Sequence, residues 1–164
     1  MMHAMADTFR ILFVCTGNTC RSPMAEAIAQ DRLAALGWDH VEVASAGTSS
    51  FSPSPASEGA LSAAQRRGLD LTAHRSRALT AELIDEADLV LTMTHGHLLR
   101  VVELGGGGNA ALLTSFAAGE DDPDLAPAVP DPFGGPEEVY EETFQLLEVM
   151  VDRTLSRLEP VLKP

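Results

Sequence analysis

Both cysteines of this 164-residue chain fall in one turn, "CTGNTCRS", running from Cys15 to Ser22. It leaves an apolar run and enters a helical pattern, where unpaired backbone N–H groups and the helix dipole favour an anion. Gly17 permits backbone angles that curl those N–H groups inward. Arg21 adds a planar fork matched to phosphate oxygens. Such a cradle suits a dianion, and Cys15 makes it reactive. A sulfur ringed by amides, an arginine and a helix N-terminus is expected to be a thiolate, able to attack a bound phosphorus and form a phosphocysteine. Ser22 lies close enough in sequence to hydrogen-bond that sulfur.

Other chemistries fit the turn less well. No Gly-Lys-Ser/Thr ends it, so it is not a Walker A loop, and it lacks the three spaced glycines of a dinucleotide fingerprint. Two cysteines and scattered histidines supply no clear four-ligand zinc set, and no metal site is expected. The plain alternative is a buried structural cysteine before an ordinary turn.

The elements that must hold this turn are legible in outline. "FRILFV" (Phe9 to Val14) has strand length and composition. Ser22 and Pro23 read as N-cap and first residue of a helix to about Leu36, stopped by Gly37. "HVEVASAG" alternates and predicts a second strand ending near Ala46. A Ser/Pro loop leads to Ser57, a cap for a helix ending at Gly68. "ADLVLTM" (Ala87 to Met93) predicts a buried third strand, followed by a short helix over "HGHLLRVVEL". Gly105 to Gly108 read as a surface loop, and "NAALLTS" as a weaker strand. A long Pro/Asp/Gly loop precedes an amphipathic helix that begins at Pro136. This alternation predicts an α/β three-layer sandwich: a central four-stranded parallel sheet flanked by helices, with the phosphate-binding loop after the first strand. Residues 1–8 are expected to be a disordered tail and residues 9–164 one domain.

Composition narrows the setting. The net charge is -13, from 24 acidic and 11 basic residues, which disfavours nucleic acid and anionic lipid. No apolar run nears the ~20 residues of a membrane span. Without a cationic-then-apolar leader, the chain is expected in a reducing cytoplasm with free thiols.

The turn, extended as "CTGNTCRSPMAEA", closely resembles the signature of the low-molecular-weight protein tyrosine phosphatase family. "DPF" (Asp131 to Phe133) resembles its late Asp-Pro-aromatic motif. "SAG" (Ser45 to Gly47), "TAHRSR" (Thr72 to Arg77) and "ADLVLTMTHGH" also look like family segments. The resemblance implies Cys15 as nucleophile, Arg21 as phosphate binder and transition-state stabiliser, and Asp131 as general acid and then base. The chemistry of the loop alone does not single out Asp131 from Asp121, Asp122 and Asp124. The likeness further implies that Thr16, Gly17, Asn18, Thr19, Cys20 and Ser22 bind phosphate. Asn18, Ser22, Ser45 and His74 would form the hydrogen-bond network that supports the loop. Cys20 would pair with Cys15 under oxidation. His95 and His97 are expected at a helix start and on an exposed face. No cofactor is implied. The partners would be phosphorylated proteins, with inorganic phosphate as product, and the chain a monomer.

Within the family, Thr19 resembles the subgroup acting as protein arginine phosphatases, whereas tyrosine enzymes commonly carry a larger aliphatic residue there. Gly134 after Phe133 thins the aromatic wall, while Phe51 stands where many members have Trp. Thr19, Phe51 and Phe133 are therefore the expected selectivity residues. Protein phosphoarginine is the favoured substrate and phosphotyrosine the alternative. An arsenate reductase would call for further cysteines, and a non-catalytic phosphoprotein-binding module would have lost Cys15, Arg21 or Asp131.

Overall fold

The computed structural model describes residues 8–50, 52–119 and 127–163. Strand β1 (Phe9–Cys15) lies inside a four-stranded, wholly parallel sheet. It pairs with β2 (Val41–Gly47) on one side and with β3 (Leu89–Thr92) on the other, and β4 (Ala110–Leu112) lies beyond β3. Ile11 through Cys15 are all buried, as a central parallel strand requires.

Alternate residues of β1 feed different layers. Ile11 and Phe13 pack with Met24 and Ile28 of helix α1 (Arg21–Leu36) and with Phe144 and Leu147 of α6 (Glu137–Leu162). Leu12 and Val14 point the other way, toward Ile84 of α3 (Ala81–Glu86) and Val101 of α4 (His95–Glu103). Helix α2 (Glu58–Gln65) joins the α6 side, as does α5 (Leu113–Ala118). This is the expected three-layer sandwich with its central four-stranded parallel sheet.

The local outcomes follow the residues closely. Ser57 caps α2, its hydroxyl accepting from the Ala60 N–H, and Gly37 ends α1 in the left-handed region at φ 73°. Two short helices were not expected. Thr80 caps α3, and α5 takes over the second half of the weak strand at residues 109–115. Both are six residues long, too short for a clear apolar period.

The strand order β2-β1-β3-β4 reverses direction between β1 and β3. The connection after β1 runs to one side and that after β3 to the other, which opens a crevice at their carboxyl ends. The cysteine turn follows β1, and the turn into α4 follows β3.

Candidate active site

Residues 15–20 wrap beyond the end of β1 into the first turn of α1. Helix α1 starts at Arg21, two residues earlier than expected, and the side chain of its N-cap residue, Cys20, makes no capping hydrogen bond. The expected cap, Ser22, has another task. Its Oγ accepts from Asn18 Nδ2 at 2.8 Å and lies 2.8 Å from Cys15 Sγ. The Ser22 hydroxyl keeps a second lone pair and its own proton for the sulfur, so it accepts from a Cys15 thiol and donates to a Cys15 thiolate. The uncapped helix end is left to an incoming anion.

Asn18 is the pivot of the turn. It is the one non-glycine residue in the left-handed region among those described, at φ 59°, a conformation asparagine tolerates better than most. It is tied on three sides. Nδ2 holds Ser22, Oδ1 accepts from the Arg77 backbone N–H at 3.0 Å, and its carbonyl bonds His74 Nε2 at 2.7 Å. His74 and Arg77 thus brace the turn from the 74–77 segment. Ser45 does not touch the turn with its side chain. Its hydroxyl donates to Glu26 Oε1 at 2.6 Å, and its carbonyl accepts from Arg77 Nε at 3.1 Å. Ser45 supports the turn only through Arg77, because β2 places it two rungs behind the strand's end.

The Arg21 side chain is 5% exposed, and its guanidinium spans the crevice. Nη1 donates to the Val129 carbonyl at 3.0 Å and Nη2 to Thr16 Oγ1 at 3.3 Å. Val129 is itself anchored, its N–H donating to the Met93 carbonyl at the end of β3 at 2.9 Å. Two residues further on, Asp131 Oδ2 stands 3.6 Å from Arg21 Nη2, while Oδ1 accepts from the Phe133 N–H at 3.1 Å. Cys15, Thr16, Gly17, Thr19, Cys20, Arg21, Asp131 and Phe133 together line a cavity of about 300 Å³. A sulfur, a guanidinium and a carboxylate thus share one cavity, an arrangement that can receive an anion.

A family model described as low molecular weight phosphotyrosine protein phosphatase matches residues 10–161. The chain belongs to that family. Among relatives of this phosphatase family, a protein-arginine-phosphatase of Geobacillus stearothermophilus is 42% identical over 153 residues, covering 92% of this chain and 97% of the relative. A low molecular weight protein tyrosine phosphatase from T. tengcongensis superposes with TM-score 0.84 at 37% identity, over 92% of this chain and 99% of that one. A mutant of the arginine phosphatase YwlE, with a phosphorylated active-site serine, superposes with TM-score 0.83 at 34% identity, over 93% and 97% of the two chains.

Cys20 lines the cavity, yet its Sγ contacts Ser57 Oγ at 3.2 Å and Tyr140 Oη at 3.5 Å. Burial, then the Cys20 hydrogen bond, pushes the Tyr140 phenol up to about 12. Both cysteines are free thiols. Phe51, Asp121, Asp122 and Asp124 lie outside the described residues, as do residues 1–7 of the expected tail.

A further expectation is overturned at His97. His95 is exposed at the start of α4, but His97 is buried. Its Nε2 lies 2.8 Å from Thr16 Oγ1, inside the crevice. Burial first, then the Arg21 charge, lower its ring to about 4, against a smaller opposing pull from Asp131. The sequence held a signal for it. His97 and Val101 are four residues apart on one helical face, in the first turn after β3, where an open parallel sheet gathers its site.

Proposed function

We propose that this chain is a cysteine-dependent protein phosphatase that hydrolyses phosphorylated side chains through a phosphocysteine, with protein phosphoarginine as its substrate. The observation that carries the mechanism is the 2.8 Å contact of Ser22 Oγ with Cys15 Sγ, a sulfur that shares its cavity with Arg21. In the first step the Cys15 thiolate attacks phosphorus as the bond to the side-chain nitrogen breaks, and Asp131 protonates the departing guanidine. The amides of residues 16–20 and Arg21 hold the three equatorial oxygens as charge spreads over them. In the second step the Asp131 carboxylate takes a proton from water, water oxygen bonds to phosphorus, and the S–P bond breaks. Inorganic phosphate leaves, and the Ser22 hydroxyl stabilises the released thiolate.

The preference for phosphoarginine is supported by Thr19 on the cavity wall and by the 42%-identical arginine phosphatase. Phosphotyrosine is the second reading, favoured by Phe133, 70% exposed at the rim, where an aromatic ring can stack. No described helix is long and apolar enough to cross a membrane. Free thiols at Cys15 and Cys20 support a reducing cytoplasm, and we assign the chain as a monomer there.

Hydrolysis of p-nitrophenyl phosphate by the wild type, abolished in Cys15→Ser, tests the mechanism. Side-by-side rates on phosphoarginine and phosphotyrosine proteins test the substrate, with Thr19→Ile expected to move the ratio toward tyrosine. An unchanged ratio removes Thr19 as the selector.

A further inference from the structure

Thr16 Oγ1 sits between two nitrogen groups, Arg21 Nη2 at 3.3 Å and His97 Nε2 at 2.8 Å. The guanidinium can only donate. The imidazole's role depends on which nitrogen carries its proton, and its other nitrogen decides the matter. His97 Nδ1 is buried with no hydrogen-bond partner among the described residues. A proton there would be an orphaned buried donor, which folded proteins rarely tolerate, whereas a bare lone pair is the lesser cost. The proton is therefore assigned to Nε2, and His97 donates to Thr16. A hydroxyl has two acceptor lone pairs and one proton. With both lone pairs engaged by Arg21 and His97, the Thr16 proton has no partner left except what enters the cavity that Thr16 lines.

We infer that His97 is a positioning residue that fixes the rotation of the Thr16 hydroxyl, so that Thr16 donates its proton to a phosphoryl oxygen in the cavity. This rests on the reading of the cavity as a phosphoryl site. It adds a side-chain donor to the backbone amides and makes the turn after β3 a working part of the receptor. The state required is a neutral imidazole. The charged groups that act on it are Arg21 from α1, which disfavours a second positive charge, and Asp131 from the loop, which weakly favours one.

The test has two independent arms. In the wild-type protein, 15N-resolved imidazole spectra at neutral pH should show His97 protonated on Nε2 and bare on Nδ1. The opposite tautomer, or a doubly protonated ring, overturns the inference without any variant. In the second arm, inhibition by orthovanadate and inorganic phosphate is measured for Thr16→Val, Thr16→Ser, His97→Phe and the Thr16→Val/His97→Phe double variant. Losing one hydrogen bond to a charged group should weaken both anions on the order of ten- to a hundredfold in Thr16→Val. Thr16→Ser should recover most of it. The double variant should lose no more than Thr16→Val alone, since His97 acts through that hydroxyl. Wild-type vanadate affinity in Thr16→Val, or additive losses in the double variant, overturns the inference. Failure of the phosphoryl-site reading is distinct, because it would appear in the wild type as no inhibition by either anion.

Discussion

Ser22 and Cys15 are joined by a 2.8 Å contact, and Asn18 donates to the same Ser22 oxygen. A thiolate carries no proton, so with Cys15 ionised as proposed the hydroxyl proton goes to the sulfur. Such a donor matters most when sulfur is the leaving group, in the breakdown of phosphocysteine. Ser22→Ala should lower kcat on the order of ten- to a hundredfold with little change in KM, the worth of one hydrogen bond to an ionised group. Rapid-quench kinetics should show the phosphoenzyme accumulating. A variant with wild-type kcat would show that the contact does not serve the second step.

Gly47 is where the turn rests on β2. A Cβ there would lie 2.5 Å from the Thr16 carbonyl oxygen and 3.0 Å from Asn18 N and Gly17 C, all backbone atoms that cannot swing aside. Gly47→Ala should displace the cradle, reducing stability by about 1–3 kcal/mol and weakening phosphate binding with it. Urea titration and phosphate inhibition read the two effects. Intact phosphate affinity would mean that the turn can shift without losing its shape.

His97 also makes stability depend on pH. In the unfolded chain its ring takes a proton near 6.5, whereas in the fold it does so only near 4. Between those values the unfolded state binds more protons, so stability is complete above about pH 6.5 and falls as pH drops toward 4. The shift corresponds to roughly 3 kcal/mol. Denaturation midpoints taken across that window should flatten in His97→Gln relative to wild type. Parallel curves would show that His97 titrates normally.

Arg67 fastens α6 to the turn that ends α2. Its guanidinium pairs with Glu141 at 2.8 Å and Glu148 at 3.2 Å, and lies 4.5 Å above the Phe144 ring. Arg67→Ala should cost about 1–2 kcal/mol, more than an isolated surface pair, because a ring contact and two carboxylates are lost together. Arg67→Lys should recover only part, since an ammonium cannot fork to both partners while covering the ring. Thermal melting checks both, and a fully stable alanine variant would rule out this clasp.

The sequence displays this site unevenly, for physical reasons. The cysteine turn is local, so spacing alone makes Cys15, Arg21 and Ser22 visible, and the sheet alternation places them at a strand's carboxyl end. Asp131 is a different case. Nothing in the loop's chemistry favours it over its neighbours; the resemblance of "DPF" to the family's Asp-Pro-aromatic motif singles it out, and the fold adds the anchoring of Val129 to Met93 and Arg21. His97 and Ser45 were misread because burial and hydrogen-bond direction are properties of packing. A histidine in a helix with leucines looks peripheral until β1 and β3 become neighbours. Ser22 shows the same limit at shorter range. Its type and position suit a helix cap, and the sulfur seven residues earlier claims it instead.

Cys15 is the final rung of the β1–β2 ladder, paired with Gly47, and its carbonyl accepts from the Thr48 N–H at 2.9 Å. The sulfur proposed to attack phosphorus is thus bolted to a central strand of the sheet rather than carried on a loose tip. Heat should then silence the protein only when the whole sheet comes apart, and the temperature of inactivation and that of melting should coincide.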